Sequence, residues 1–261
     1  MRSSGVDPFK DHFSQTAAGY AAHRPTYPRE LAAWMATCCT ARGVAWDAGC
    51  GSGQLSTLLG DHFERVIATD ASEKQIERAT RHPRVEYRRA KAEASGLDDN
   101  SVDLCASAQA AHWFDLTAYF QEVRRVARPG GTLALVSYGI MIVDSAIDAV
   151  VMPFYHDTLE QYWPPERRIV EEGYRTIAFP FDELKPPKLE MRARWTLADM
   201  IGYIETWSAV WAMAKAAGRG AIEEHHRRLA AAWGDPAAIR EVRWPLSIRA
   251  AIVKPSASAR C

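Results

Sequence analysis

Residues 43–137 alternate apolar, β-rich runs with stretches of helical periodicity, and this alternation is the feature that most limits the fold. The runs GVAWDAG, RVIATD, VEYRRA, SVDLCASAQ and GTLALVSYG have strand character, and QLSTLLGDHF, SEKQIERATR and LTAYFQEVRRVA lie between them. Parallel strands need long crossover connections, which are usually helices, and such crossovers are right-handed. The alternation therefore predicts an α/β fold: a doubly wound sheet with helices on both faces.

Local signals mark where two of these helices begin or end. Ser72 stands three residues before Gln75, which is the spacing of a capping box and predicts a helix start. In the last crossover apolar residues recur at helical spacing, and RPGG at 128–131 ends the helix. This stripe comprises Leu116, Tyr119, Phe120, Val123 and Val126.

After residue 137 the alternation stops. Residues 138–187 are rich in Trp, Tyr and Pro and predict helices and loops over the carboxyl edge of the sheet. KLEMRARW (188–195) and PLSIRAAIVKP (245–255) have strand character, and the segments between them are helical. The two late strands would extend the sheet and the other segments would form a lid, whose tryptophans are expected mainly to pack in the core.

Composition and charge narrow the class of protein. The chain has 261 residues, 48% of them hydrophobic and 25% charged, which is enough to bury a full core. The 32 Lys and Arg balance the 32 Asp and Glu, so no overall positive field attracts nucleic acid or an acidic membrane. Five cysteines without CxxC spacing indicate neither a disulfide framework nor a zinc site. With no signal-peptide-like or membrane-spanning run, these features predict a cytoplasmic protein with reduced thiols and no metal.

The stretch AWDAGCGSGQLS predicts a ligand-binding turn between the first strand and the next helix. Gly49, Gly51 and Gly53 carry no Cβ, so the backbone can turn tightly and approach a ligand closely. Gln54 stands where the dinucleotide fingerprint GxGxxG has its last glycine, which disfavours NAD or FAD. Asp70 ends the second strand, where a carboxylate can accept ribose hydroxyls. A ribose-bearing ligand is therefore favoured over a bare phosphate.

Four segments in order, WDAGCGSGQLS, VIATDAS, AEASGLDDNSVDL and EVRRVARPGGTLAL, resemble the successive motifs of class I S-adenosylmethionine-dependent methyltransferases. YAAHRPTYP, AHWFD and RWTLADMIGYIETWSAVWAM are similar to the trans-aconitate methyltransferase-like (methyltransferase type 11) group, which methylates small molecules. The resemblance is close over residues 10–137. It implies a Rossmann-like sheet of seven strands, the last antiparallel, with helical lid insertions. It also implies S-adenosyl-L-methionine as cofactor and S-adenosyl-L-homocysteine as product.

The resemblance further implies which residues contact the cofactor. Asp47 and the glycine loop would line its methionine part, Asp70 would bind the ribose, and Ala71 would neighbour the adenine. Lys91 occupies the place of a usual acceptor for the adenine amino group and cannot accept a hydrogen bond, so backbone near Ala92 would replace it. The predicted cofactor-binding residues are Tyr20, Arg24, Asp47, Gly49, Cys50, Gly51, Gly53, Asp70, Ala71, Ala92, Gln109 and Trp113.

The N-terminal segment and the loop after the fourth strand complete this predicted site. Tyr20 and Arg24 are four residues apart, on one face if the segment is helical, and Arg24 would hold a carboxylate of the cofactor or of the substrate. Gln109 and Trp113 share their loop with His112. Trp113 would either pack in the loop or attract the sulfonium to its ring face by a cation–π interaction.

The same loop carries the candidate catalytic residue. Methyl transfer from a sulfonium is an in-line displacement, and much of its acceleration comes from positioning the nucleophile. A carboxylate acceptor is already ionised at neutral pH, whereas a hydroxyl would call for a base such as His112. A packing or pocket role for His112 stays open. The leading prediction is O-methylation of a small organic acid carboxylate; the alternatives are a hydroxyl or amine methyltransferase using His112 as base, and a cofactor-binding protein without catalysis.

Two other enzyme classes fit less well. A nucleic-acid amino-methyltransferase would carry an [N/D/S]PP[Y/F/W]-type element after the fourth strand, and SAQAAHWF lacks it. A nicotinamide oxidoreductase is opposed by Gln54. We therefore predict a small-molecule substrate, no nucleic-acid or membrane partner, and a monomer or homodimer.

Three regions follow from these patterns. Residues 1–40 would form an N-terminal helical lid segment, and residues 41–137 the Rossmann-like core that binds S-adenosylmethionine. Residues 138–261 would supply the helical insertions over the substrate, together with the last two strands of the sheet.

Overall fold

The computed structural model describes residues 25–253, so the predicted site residues Tyr20 and Arg24 lie outside the described residues. Strands within this span are β1 (Val44–Ala48), β2 (Arg65–Asp70), β3 (Val85–Arg89), β4 (Val102–Ala108), β5 (Ala127–Tyr138), β6 (Glu183–Leu184), β7 (Glu190–Trp195) and β8 (Arg240–Ile252).

Helices surround these strands. Described α-helices are α1 (Arg29–Thr37), α2 (Gln54–Gly60), α3 (Glu73–Glu77), α4 (Leu116–Val126), α5 (Ser145–Pro153), α6 (Arg167–Glu171), α7 (Leu197–Glu205), α8 (Ser208–Ala217) and α9 (Gly220–Trp233). Three short turns complete them: 3₁₀ turns at Ala111–Trp113 and Glu160–Tyr162, and a π-helical turn at Phe154–Thr158.

The strands form one sheet in the order β3-β2-β1-β4-β5-β8-β6, with β7 pairing β8 as well. β1 to β5 are parallel to one another. β8 is antiparallel to β5, with Tyr138 opposite Leu246 and Thr132 opposite Ile252. This topology confirms the predicted Rossmann-like, doubly wound fold and its antiparallel last strand.

The strand count differs from the predicted seven because one late strand is divided. β7 pairs with the first half of β8, whereas β6 pairs with Ala250 and Ala251 near its end. Pro186 and Pro187 lie between β6 and β7. Proline has no N–H to donate to a ladder, so a continuous strand across these residues is disfavoured.

Two apolar clusters hold the helices to the two faces of the sheet. One joins α1 and α2 with the helices of the second half, and its large side chains include Trp207, Trp233 and Trp244. The other packs α4 and α6 against the opposite face around Trp46 and Tyr119. Most of the tryptophans in the second half therefore pack in the core, as predicted, although the ring of Trp211 is 46% exposed.

The predicted helix signals are largely confirmed. α4 spans the predicted stripe and buries Tyr119, Phe120 and Val123. α3 begins directly after Ser72, but the Ser72 side chain makes no capping hydrogen bond. Instead, Oδ1 of Asp70 accepts the Ser72 N–H at 2.8 Å. Among residues 25–253, no helix has both the length and the apolar character needed to cross a membrane.

Candidate active site

The predicted cofactor residues gather where the strand order reverses. β1 has β2 on one side and β4 on the other, so the connections leaving β1 and β4 run to opposite faces and open a crevice at the carboxyl edge. β1 ends at Ala48, β2 at Asp70 and β4 at Ala108. The glycine loop, Asp70 and the turn that carries His112 therefore lie along one edge of the sheet.

The glycine loop is fixed by backbone hydrogen bonds and by close packing. The carbonyl oxygen of Thr69 accepts the N–H groups of Gly49 and Cys50 at 2.8 and 3.0 Å. Gly49 has a φ of +69°, and a Cβ added there would lie 2.5 Å from Cβ of Ala110. Both the backbone angle and the space therefore require glycine at position 49.

The other two glycines differ in their surroundings. Gly53 has a φ of +82°, and an added Cβ would lie 2.1 Å from the hydroxyl oxygen of Tyr87, which the sequence analysis did not single out. Gly51 has a φ of +54°, and an added Cβ would meet no atom within 4 Å. The backbone at Gly51 therefore borders open space, which a ligand can approach closely.

Asp70 links the glycine loop to the end of β2. Its Oδ2 accepts the Gly51 N–H at 2.9 Å and its Oδ1 accepts the Ser72 N–H at 2.8 Å. These two bonds orient the carboxylate between the glycine loop and the end of β2.

Asp47 is the most deeply buried acidic group of this edge. Its side chain is 1% exposed, and Oδ2 accepts a hydrogen bond from the Ser56 hydroxyl at 2.6 Å. Oδ1 is buried and receives no hydrogen bond from any described residue. Burial raises the pKa of Asp47 to about 7, and the negative charge of Asp70 contributes to this rise. A donor or a cation at Oδ1 would favour the ionised form.

Ala71 and Ala92, together with their charged neighbours Lys91 and Glu93, occupy the loops that flank the strands. Ala71 is half-buried after β2, and Ala92 is buried after β3. Lys91 is exposed, and its backbone forms an isolated bridge with Ala94. Glu93 accepts the N–H of Asp115 at 2.8 Å, just before α4. The Glu93 carboxylate is thus engaged in a local backbone contact.

Gln109 connects the ends of β4 and β5. Its φ is +56°, and its side-chain amide exchanges two hydrogen bonds of 3.0 Å with the backbone of Tyr138. The side chain therefore fixes the loop, and a cofactor contact from Gln109 stays a prediction. Trp113 is 37% exposed, and its ring centre lies 4.8 Å from that of His112.

His112 is half-buried in the 3₁₀ turn after β4. Its Nδ1 lies 3.0 Å from the hydroxyl oxygen of Tyr174, a residue that no sequence signal identified. Burial of the ring and, to a smaller extent, the positive charge of Arg167 lower the pKa of His112 to about 3. His112 is therefore uncharged at neutral pH and is a weak base.

Aromatic side chains of the second half are connected with this turn through Arg167, and Tyr155, Trp163 and Trp207 are called the aromatic cluster below. Their ring centres are 4.7 to 5.8 Å apart. α6 packs against the turn that carries His112, and its first residue, Arg167, contacts Tyr155 and Trp163. The sequence did not indicate Arg167, because it is one of two adjacent arginines at the start of a helix and belongs to no recognisable motif.

A cavity of about 1110 Å³ lies farther along the sheet, beside β8. Its lining includes Tyr27, Gly173 and Leu246, and Leu246 faces the end of β5. Glu183 and Arg249, which also line it, form an ion pair with each other. The glycine loop is not part of its wall, so this cavity is separate from the predicted cofactor crevice.

Comparison with known proteins gives consistent results. The profile of a family described as "Methyltransferase domain" matches residues 46–135. A Dictyostelium discoideum protein named "Putative methyltransferase" is 37% identical over 220 residues, covering 83% of this chain and 84% of that protein. A Mycobacterium tuberculosis protein named "Uncharacterized methyltransferase" is 38% identical over 126 residues, covering 48% of this chain and 51% of its own.

A solved structure agrees over nearly the whole length. The protein, described as a "Putative Type II Methyltransferase" from Anaeromyxobacter dehalogenans, has a TM-score of 0.84 and 50% sequence identity, and the match covers 89% of this chain and 99% of that one. Together with the fold and the glycine loop, these similarities show that the chain belongs to the class I S-adenosylmethionine-dependent methyltransferases. The protein is an enzyme of this class, and its cofactor is S-adenosyl-L-methionine.

Proposed function

We propose that this methyltransferase transfers a methyl group to a carboxylate oxygen of a small organic acid, as in the trans-aconitate methyltransferase-like group. The observation that carries the proposal is the environment of His112. Its ring is held by Tyr174 and its pKa is lowered to about 3. General bases work best when their pKa is near the working pH, so His112 is poorly suited to deprotonate a hydroxyl. An acceptor that is already ionised needs no such base.

The glycine loop (residues 49–53), Asp47 and Asp70 are together called the glycine edge below. They are suited to hold S-adenosylmethionine. We assign the ribose to Asp70, whose two oxygens are already oriented by backbone N–H groups. The methionine part would pass the open side of Gly51. Its cationic groups would be favoured by Oδ1 of Asp47, which receives no hydrogen bond from residues 25–253. Ala71 and Ala92 are the proposed neighbours of the adenine. Gly49, Gly53 and Cys50 shape the loop beneath the ligand.

When bound, S-adenosylmethionine supplies an activated methyl group on a positively charged sulfur. The residues of the chain then act by positioning the two reactants. The glycine loop would hold S-adenosylmethionine, and the turn at Ala111–Trp113 together with the aromatic cluster would enclose the methyl acceptor. Holding two reactants in line accounts for a large part of the rate enhancement of such displacements. The acceptor oxygen needs no proton transfer, so this part of the site requires no catalytic base.

The test is transfer of radiolabelled methyl from S-adenosylmethionine to small organic acids, phenols and amines, followed by mild base treatment of the products. Base-labile label released as methanol is the result expected for methyl esters. Base-stable label would contradict carboxylate methylation and return His112 to the role of a base for hydroxyl or amine acceptors. Transfer to none of these compounds, despite binding of S-adenosylhomocysteine, would exclude the tested acids as acceptors.

A further inference from the structure

The Arg167 side chain is mostly buried, and among residues 25–253 its one acidic neighbour within 4 Å is Glu171. The Arg167 side chain is 21% exposed, and Nε donates a hydrogen bond of 2.6 Å to the Tyr155 hydroxyl. Its Cζ lies 5.5 Å from the ring centre of Tyr155 and 5.2 Å from that of Trp163. The carboxylate of Glu171 is 3.9 Å from Nε, which is an ion pair at long range.

The outer part of the guanidinium makes no hydrogen bond within the described part of the chain. Nη1 and Nη2 receive no hydrogen-bonding partner from residues 25–253, although together they carry four N–H groups. The planar fork of arginine matches the two oxygens of a carboxylate, and such charge-assisted hydrogen bonds are among the strongest in proteins. An anionic ligand would therefore complete the site.

The position of Arg167 connects this charge with the reaction. Its helix, α6, packs against the turn that carries His112, and Tyr174, which follows α6, contacts His112 Nδ1. Arg167 is thus beside the carboxyl end of β4. The half-buried ring of Trp163 lies 5.8 Å from that of Trp207, so an apolar surface adjoins the charge.

We propose that Arg167 anchors a carboxylate of the methyl acceptor, while the apolar part of the acceptor packs against Trp163. This inference rests on the proposed function, because it names the residue that selects an acid as substrate. Each carboxylate oxygen has two lone pairs, so an ion pair with Arg167 leaves lone pairs for attack on the methyl group. Arg167 is a specificity-determining residue of the acceptor site and takes no part in proton transfer.

The experiment measures calorimetric binding of acids and their uncharged amides to protein saturated with S-adenosylhomocysteine. The probes are phenylacetate with phenylacetamide and cinnamate with cinnamamide. Wild-type protein should bind at least one acid roughly tenfold or more tightly than its amide, as a charged hydrogen bond implies. Arg167→Gln should abolish the preference, and Arg167→Lys should keep only part of it, since lysine keeps the charge but not the fork.

Arg168→Gln is the matched control, because Arg168 is the next residue, is 84% exposed and pairs with Glu172. The Arg168→Gln variant should keep the full wild-type preference for the acid over its amide. Unchanged preference in Arg167→Gln, or no preference for either acid in the wild type, would overturn the anchor. The affinity for S-adenosylhomocysteine and the melting temperature of each variant show whether it is folded.

The outcome for the proposed function is separate. Base-stable methyl products would overturn carboxylate methylation whatever the binding data show. Base-labile products made equally well by Arg167→Gln would leave the proposed function intact and remove only the anchor.

Discussion

The two sides of the candidate site use different chemical groups. The glycine edge uses backbone N–H groups, three residues at positive φ and two carboxylates, Asp47 and Asp70. The acceptor side uses the aromatic cluster, Arg167 and the His112–Tyr174 pair. The glycine edge depends on a backbone conformation that few residue types can adopt. The acceptor side depends on how large side chains pack in the tertiary structure.

The two sides of the site also differ in how far their residues are expected to be shared with other methyltransferases. The family profile ends at residue 135, before the aromatic cluster begins. The cofactor is common to the whole class, so its side of the site is expected to be similar among members. The acceptor differs among methyltransferases, and its side is where this chain's specificity must be encoded.

The largest expected effect would come from Gly49→Ala at the glycine edge. The new Cβ would lie 2.5 Å from Cβ of Ala110 at a φ of +69°, so the loop must move. Backbone strain and overpacking should lower the free energy of unfolding by about 3 kcal/mol. Calorimetry should find the affinity for S-adenosylhomocysteine reduced on the order of a hundredfold.

Gly51→Ala is the control for this effect, because its φ is also positive but its Cβ would meet no atom within 4 Å. It should lower the free energy of unfolding by only about 1 kcal/mol. It should still weaken S-adenosylhomocysteine binding roughly tenfold, since the methyl would occupy space assigned to the ligand. Wild-type affinity in Gly51→Ala would mean that the cofactor does not pass over this residue.

The local geometry of the glycine edge could be predicted from the sequence because few residue types can adopt it. A positive φ at Gly49, Gly51 and Gly53 and a carboxylate at the end of β2 leave a recognisable pattern. The acceptor side left no such pattern. Tyr174 lies 62 positions from its partner His112, and only the tertiary fold brings Arg167 to the same turn. The divided late strand was also missed, although Pro186 and Pro187 were visible signals for it.

A smaller effect should appear in the pH dependence of cofactor binding through Asp47. Its pKa is raised to about 7 by burial, and a cationic ligand group beside Oδ1 requires the ionised form. The affinity for S-adenosylhomocysteine should therefore fall roughly tenfold between pH 8 and pH 6. Asp47→Asn should bind weakly, and its affinity should be independent of pH over this range.

The stability of the unliganded protein should change in the opposite direction. The folded-state pKa of Asp47 lies above its unfolded value of 3.8, so the folded state holds the proton more tightly. The contribution of this group is fully present below about pH 4 and is lost as the pH rises through 7. Denaturant titrations of wild type and Asp47→Asn at pH 5 and 8 isolate this contribution. Equal pH dependence in both proteins would contradict it.

The smallest expected effect concerns the acceptor side, at His112. With a pKa lowered to about 3, the ring is uncharged above pH 5 and too weak a base to be useful. His112→Gln should therefore change kcat for a carboxylate acceptor less than about threefold, since general base catalysis by a side chain normally contributes 10²-fold or more. Tyr174→Phe, which removes only the partner hydroxyl of the 3.0 Å contact, should behave similarly. A hundredfold fall in kcat for His112→Gln, with S-adenosylhomocysteine affinity unchanged, would establish a base at this position. The acceptor side would then perform proton transfer as well as recognition, and the acceptor would be a hydroxyl or an amine.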